Sequence, residues 1–489
     1  MTDLILVLDA GTTSTRAMAF ARDGVIAAGS QCEITQHYPQ PGWVEHDAHE
    51  IWQATLRCAR DCIAAAGGVH KFAAIGITNQ RETVVAWDRT SGEPLARAIV
   101  WQDRRTAQFC EALRTAGHEP AVQHATGLLL DPYFSATKMR WLLDNSGEVA
   151  AAAQTGALAF GTVESWLVWK LTGGHHITDA SNASRTLLLA LDGAQFDAGL
   201  CDLFGVPRAA LPLVVDCAGD FGATGPGVFD AALPIRGLAG DQQAATIGQG
   251  CNAPGEVKAT YGTGAFVLAN MGSALPRSRH RLLGTVLTQL QGKRTYALEG
   301  SVFVAGSLVK WLRDSLGVIA SAAETAALAA SVADTGGVVL VPALSGLGAP
   351  HWRPQARAAL TGMSFATTRA HLARAALEAT ANQTRDLMDA FAADGAPCAS
   401  LRIDGGMSAN DWLAQDLADI LDIAVERPEM VETTALGAAM LAALGSRWFG
   451  GLDEAAAAMR GPVVGFEPAM DPGVRDTRLK VWREAVAKV

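Results

Sequence analysis

The sequence predicts an α/β protein built from two domains. Short apolar runs that read as strands alternate with amphipathic helices along the chain. A glycine-rich turn follows a predicted strand in each half, and the pattern restarts near residue 240, where glycine is dense. Alternation of this kind belongs to sheets covered by helices. At 489 residues, two or three domains are expected. The boundary is placed within 240–250, giving units 1–246 and 247–489.

Residues 4–8 form an apolar run of buried-strand type, followed by the turn Asp9-Ala-Gly-Thr-Thr-Ser and a second strand over 16–20, so the chain opens with a hairpin. Residues 73–78 and 83–87 repeat this strand–turn–strand pattern. Residues 137–143 and 162–171 carry Trp and Leu at helical spacing. Residues 235–239 are again strand-like, and 242–247 can be helical. In the second half, strands at 258–260 and 266–269 flank Tyr261-Gly-Thr-Gly, helices are expected at 307–313 and 370–390, and 401–403 is a strand that feeds another glycine-rich turn. A last helix is expected over 475–489.

Hydrophobic residues make up 49% and charged residues 18%, which excludes a disordered chain, and the net charge of −10 argues against nucleic-acid or anionic-membrane partners. The eight cysteines are scattered. Only Cys58 and Cys62 are close, with no second pair or nearby His to complete a zinc site, so reduced thiols are expected. The two longest uncharged stretches, 259–276 and 335–352, are broken by Gly and Pro. Membrane insertion is not expected, and the predicted location is cytoplasmic.

Three glycine-rich turns follow predicted strands: Asp9-Ala-Gly-Thr-Thr-Ser-Thr-Arg, Tyr261-Gly-Thr-Gly-Ala and Asp404-Gly-Gly-Met-Ser-Ala-Asn. Glycine lets the backbone approach an anion, and N–H groups and Thr hydroxyls can then bind phosphate oxygens. One such turn is more often only a turn; three, with a carboxylate at a strand end, are harder to dismiss, and spacing alone leaves phosphate loops and plain turns both open. Asp9 is placed to hold Mg²⁺, which takes one or two carboxylates and keeps several waters. Neither a GxxxxGK[ST] loop nor a GxGxxG fingerprint is present, so ATP binding by a P-loop or a dinucleotide fold is excluded.

Asp241, at the end of the 235–239 run, is a candidate general base, although spacing alone favours a helix-capping role. Arg81-Glu82 at a turn is ordinarily a solvated pair, yet a polyol needs a donor and an acceptor side by side. Trp101, Tyr133 and Phe266 could cover a carbon skeleton; each taken alone reads as core.

The strings Asp9-Ala-Gly-Thr-Thr, Ile77-Thr-Asn-Gln-Arg-Glu-Thr, Ala98-Ile-Val-Trp-Gln-Asp-Arg-Arg, Asp131-Pro-Tyr-Phe-Ser, Ala239-Gly-Asp-Gln-Gln-Ala, Thr260-Tyr-Gly-Thr-Gly and Asp404-Gly-Gly together resemble the FGGY carbohydrate kinases, and among them the glycerol branch, over roughly 4–442. The resemblance implies two actin-like (ribonuclease H-like) ATPase domains flanking a deep catalytic cleft, with the polyol and the catalytic base in the first and the nucleotide in the second. It implies ATP-dependent phosphorylation of glycerol to sn-glycerol 3-phosphate with Mg²⁺. Arg81, Glu82, Tyr133, Asp241 and Gln242 would bind glycerol, Trp101 and Phe266 would wall it, and Asp241 would be the base. Thr12, Thr13, Ser14, Arg16 and Thr263 would face the phosphates and metal, and Gly306, Lys310, Gly406 and Asn410 would line the nucleotide pocket. Relatives suggest a homodimer or homotetramer. Ala10 and Lys310 each stand where glutamine is usual. Some bacterial relatives bind fructose 1,6-bisphosphate on a loop that contains Lys and Arg; here 222–234 has no basic residue, which implies no such inhibition. The alternatives are a kinase for another small polyol or sugar, such as erythritol or a ketopentose, and a non-enzymatic filament or sensor protein on the same fold.

Overall fold

The computed structural model describes residues 3–353 and 355–489, and its two main sheets share one plan. In the first, β1 (Leu4–Ala10), β2 (Ser14–Ala21), β3 (Ile26–Glu33), β4 (Phe72–Asn79) and β5 (Ile235–Gly240) lie in the order β5-β4-β1-β2-β3. The strands β1, β2 and β3 are antiparallel neighbours, and β4 and β5 run parallel to β1. The second sheet contains β6 (Glu256–Tyr261), β7 (Ala265–Gly272), β8 (Leu283–Leu290), β9 (Lys293–Val302), β10 (Ser400–Asp404), β11 (Ala424–Pro428) and β12 (Val463–Phe466), in the order β8-β9-β7-β6-β10-β11-β12. Again three antiparallel strands (β9, β7, β6) continue into two parallel ones (β10, β11), with β8 and β12 added at the edges.

The strand–turn–strand runs expected at 4–20 and 258–269 form antiparallel hairpins. Leu4–Ala10 reads as an unbroken apolar run because both faces of β1 are covered. Leu6, Leu8 and Ala10 meet Trp52, Cys58 and Ala59 of α1 (Ala48–Ala65), while Ile5 and Val7 join the cluster on the other face. The second strand–turn–strand is not a hairpin. Val85–Asp88 leaves the sheet and pairs antiparallel with Leu158–Gly161. The break lies at Arg81-Glu82, where Glu82 adopts a left-handed φ of 61°. The helices expected at 137–143, 162–171, 307–313, 370–390 and 475–489 appear as Ser135–Asn145, Val163–Thr172, Gly306–Asp314, Arg369–Ala393 and Pro472–Val486.

Two helices lie between the sheets. Helix α2 (Asp241–Gly248) follows β5, and the 246/247 boundary falls inside it. Helix α3 (Thr433–Gly445), apolar on all sides, comes from late in the chain yet packs on β1, β4, β5 and α2. A helix hydrophobic all round has to be buried all round. Its approach is close: a Cβ on Gly437 would sit 1.8 Å from the Ala244 carbonyl oxygen, and one on Gly248 would sit 2.0 Å from that of Thr433. The strands are glycine at the same contacts, Gly76 against Ala438 and Gly237 against Ala442.

The crossing makes Gly437 a stability determinant. Gly437→Ala forces α2 and α3 apart and costs about 1–3 kcal/mol. A lowered Tm is expected, with Gly465→Ala, where an added Cβ meets nothing within 4 Å, melting as the wild type does. Equal melting of Gly437→Ala and wild type would show that the crossing tolerates a methyl group.

Candidate active site

The turn that breaks β4 away from Val85–Asp88 carries Arg81 and Glu82. Both are buried, with 2% and 1% exposure, which overturns the solvated-pair reading. Their partners come from far along the chain. Arg81 Nη1 donates to Glu299 Oε2 at 2.6 Å, Arg185 Nε donates to Glu82 Oε1 at 2.6 Å, and Arg185 Nη2 donates to Glu299 Oε1 at 2.8 Å. Glu299 belongs to β9, so one carboxylate of the second sheet joins two arginines of the first half. Burial alone would raise the Glu299 carboxyl, but Arg185 and Arg81 overcome it and hold the group below the ordinary range. For Glu82, burial outweighs the same two arginines and its carboxyl is raised.

Asp241 is the first residue of α2. The helix cap is Gly240, not Asp241. The Asp241 Oδ1 accepts from the Gln242 backbone N–H at 2.7 Å and pairs with Arg81 Nε at 3.2 Å, which leaves Oδ2 for another partner. Its side chain keeps 32% of its surface accessible. The group is nonetheless ringed by protein at longer range, and this desolvation raises its pKa, with Arg81 working in the opposite direction.

The rings of Trp101 and Tyr133 lie 5.6 Å apart edge to face, and those of Trp101 and Phe266 lie 6.4 Å apart. The Tyr133 hydroxyl accepts from Arg81 Nη2 at 3.3 Å. Trp101 Nε1 donates to Thr12 Oγ1 at 2.9 Å, which links this wall to the β1–β2 turn. Arg81, Glu82, Asp241, Trp101 and Tyr133 are thus joined by direct contacts. Phe266 touches the group through its ring, and Gln242 adjoins Asp241.

The β1–β2 turn closes with Gly11 N–H on the Ser14 carbonyl, and Thr13 is exposed. Arg16, beyond it on β2, pairs with Glu432 at 2.6 Å and with Asp9 at 3.5 Å. Asp9 is 4% exposed, and burial, ahead of Arg16, pushes it up to about 6. In the second sheet the β6–β7 turn exposes Thr263, whose carbonyl accepts from the Ala305 and Ser307 N–H groups at the start of Gly306–Asp314. The third turn needs glycine: Gly405 has φ 87°, and a Cβ there would sit 2.5 Å from the Tyr261 carbonyl oxygen. A cavity of about 760 Å³ opens beside these turns. Thr263, Gly306, Lys310, Gly406 and Asn410 line it, with Val309, Ala326 and Leu377 as apolar wall. Its size fits a nucleotide. Neither Asp241 nor Arg81 lines it, nor do Thr12, Thr13, Ser14 and Arg16, which belong to the first sheet's hairpin.

Sequence reasoning passed over Glu299, Arg185 and Lys258. Glu299 and Arg185 are each a lone charge in an otherwise uncharged run, and that was the available signal; Lys258 follows Glu256 within two residues and gives none. Lys258 is wholly buried on β6, and its Nζ donates to Gln242 Oε1 at 2.7 Å. The 222–234 loop carries no cation of its own. Arg60 reaches it from α1, where its Nε and Nη2 donate to the Gly227 and Val228 carbonyls. All eight cysteines are free thiols, and no described helix is long and apolar enough to cross a membrane.

A twice-used sheet plan, with glycine-rich turns from both sheets and a nucleotide-sized cavity in the second, defines the sugar-kinase class of phosphotransferase. Residues 4–248 match the N-terminal domain of the FGGY family of carbohydrate kinases and residues 257–446 match its C-terminal domain. The chain belongs to that family. It is 53% identical to a glycerol kinase of Rhodospirillum rubrum over 99% of this chain and 98% of the relative, and 54% identical to one of Alcanivorax borkumensis with the same coverage. Among solved structures it is similar to a Plasmodium falciparum glycerol kinase with ADP (TM-score 0.95, 35% identity, 100% and 98% of the two chains) and to a Rhodospirillum rubrum xylulose kinase (TM-score 0.87, 27%, 99% and 98%).

Removing the Glu299 charge strips two buried arginines of their shared partner. Glu299→Gln is expected to lose about 3–5 kcal/mol of stability in chemical denaturation. A loss under about 1 kcal/mol would mean that Arg81 and Arg185 are held by other contacts.

Proposed function

We propose that the protein transfers the γ-phosphoryl group of ATP to glycerol, giving sn-glycerol 3-phosphate. The observation that carries this reading is the meeting of Arg81, Glu82, Asp241 and Gln242 with the edge-to-face rings of Trp101, Tyr133 and Phe266. A three-carbon polyol offers hydroxyls on one side and C–H groups on the other, and the site offers charged hydrogen-bonding groups facing an aromatic wall. The full-length similarity to curated glycerol kinases supports the same substrate.

In this reading Asp241 Oδ2 accepts the proton of the attacking hydroxyl while Oδ1 stays fixed by Arg81 and the Gln242 N–H. Arg81 and Glu82 orient the remaining hydroxyls, and Trp101, Tyr133 and Phe266 exclude water. The nucleotide occupies the 760 Å³ cavity against Gly306, Lys310, Gly406 and Asn410, with Thr263 facing its phosphates from one sheet and Thr12, Thr13 and Ser14 from the other. Arg16 joins the phosphates by exchanging Glu432 for them. Asp9 suits Mg²⁺: a strand-end carboxylate raised by burial, with Asp241 also acting on it, gains from a cation. Among the described residues no cluster of three or more His, Cys, Asp or Glu could hold a metal, and magnesium on nucleotide needs only one or two carboxylates. When bound, the ion neutralises charge on the phosphates. Phosphoryl transfer passes through a loose transition state, so the residues contribute chiefly position and charge.

The test is ADP release with Mg-ATP and glycerol. Asp241→Asn is expected to lower kcat by roughly 10²–10⁴-fold, the usual worth of a general base. Because burial raises the Asp241 carboxyl, the base is lost as pH falls through a value above the ordinary 3.8, and the wild-type acid limb of kcat should lie above that value. A folded Asp241→Asn with near-normal turnover removes Asp241 from this role.

A further inference from the structure

Strand β6 separates two environments. Val257, Ala259 and Tyr261 point into the apolar core of the second sheet, and Lys258 and Thr260 point to the opposite face, toward α2. Lys258 is 0% exposed. An ammonium in such a place needs a reason, because burial, and after it Arg81, works against its charge and lowers its pKa, with Asp404, Asp241 and Glu299 opposing the shift. Its hydrogen bond runs from Nζ to Oε1 of Gln242, at 2.7 Å. That contact joins the second sheet to the helix whose first residue is Asp241.

We infer that Lys258 is a positioning residue: it fixes the Gln242 amide so that its NH₂ group, and not its carbonyl, is presented to the polyol. This rests on the glycerol reading above. An ammonium has three donors and no acceptor. The end of Gln242 that meets Lys258 must therefore be the carbonyl oxygen, and the NH₂ group must turn to the other side. Asp241, ionised, only accepts hydrogen bonds. The start of α2 then presents one acceptor and one donor side by side. A hydroxyl that gives its proton to Asp241 and a second one that keeps its proton can be told apart. Without Lys258 the two ends of the Gln242 amide, nearly equal in shape, could exchange, and each swap would take from the site the one N–H donor that Asp241, an acceptor, cannot replace.

The test is a double-mutant cycle on the full-length enzyme, reading KM for glycerol and for ATP, and kcat, separately. Lys258→Met keeps the chain length and removes the charge. It is expected to raise KM for glycerol about tenfold, near the worth of one well-made hydrogen bond, with kcat and KM for ATP within about threefold. In a Gln242→Ala background the same substitution should change KM for glycerol by less than about twofold, because the amide it orients is gone. Equal fold-changes in both backgrounds, or a wild-type KM in Lys258→Met, would overturn the inference. Should Lys258→Met fail to fold, Gln242→Glu decides. It keeps an oxygen for Lys258 but has no NH₂ group, so it should raise KM for glycerol as much as Gln242→Ala does; a wild-type KM would show that the NH₂ group is not used. A wild-type enzyme that neither binds nor turns over glycerol overturns the substrate reading and this inference together. Multiplying effects in an enzyme that does turn over glycerol overturn this inference alone.

Discussion

The site depends on four charged side chains that water does not reach: Arg81, Glu82, Arg185 and Glu299. Buried ions are tolerated only when they satisfy one another. Here Glu299 accepts from both arginines and Arg185 bridges both glutamates, so no member can move without stranding another. Arg81 is thereby held in one pose, with its Nε left for Asp241. Glu82 adopts a backbone conformation that non-glycine residues seldom take, and the Arg185 contact holds it there. The network is also a tether, because Glu299 sits on a strand of the second sheet while its partners belong to the first half.

The placement of the site follows from how the duplicated sheets are joined. Helices α2 and α3 lie between them, with apolar side chains against the first sheet in one continuous cluster. The face of the second sheet turned toward these helices carries Lys258, Thr260, Arg402 and Asp404 instead. Lys258 bonds to Gln242; Asp404 accepts from Gln249 of the segment after α2 and from Thr433 of α3. One side of the layer is thus fixed by glycine-mediated close packing and the other by polar contacts. Asp241 stands where this layer meets the end of the first sheet, next to the turn of β1 and β2.

The sequence was most legible where structure is local. Strand–turn–strand runs such as 4–20 and 258–269 carry their own pairing partners, and helices such as 370–390 carry their own periodicity. That the Arg81-Glu82 pair is buried could not be read locally, because its partners lie 218 and 103 residues away, and neither Glu299 nor Arg185 announces which charge it will meet. The strand expected at 83–87 forms at 85–88 but does not pair with 73–78, since nothing in its own residues points to Leu158–Gly161. Helix α3 belongs to the first sheet's packing although it arrives after nearly the whole second sheet. Only the glycines at 76, 237, 248 and 437 hint at that contact, and a glycine in sequence does not say what comes close to it.

Recognition of a three-carbon polyol rests, in this proposal, on fixed charges set beside an aromatic wall. It is tested most directly by comparing kcat/KM for glycerol, dihydroxyacetone, erythritol, xylitol, xylulose and ribulose with Mg-ATP in a coupled assay of ADP release. Glycerol is expected to exceed every four- and five-carbon compound by a wide margin. A longer polyol or a ketopentose as the best substrate would contradict it, leaving the fold and the ATP chemistry intact but removing Arg81, Glu82 and the aromatic wall from the recognition of glycerol.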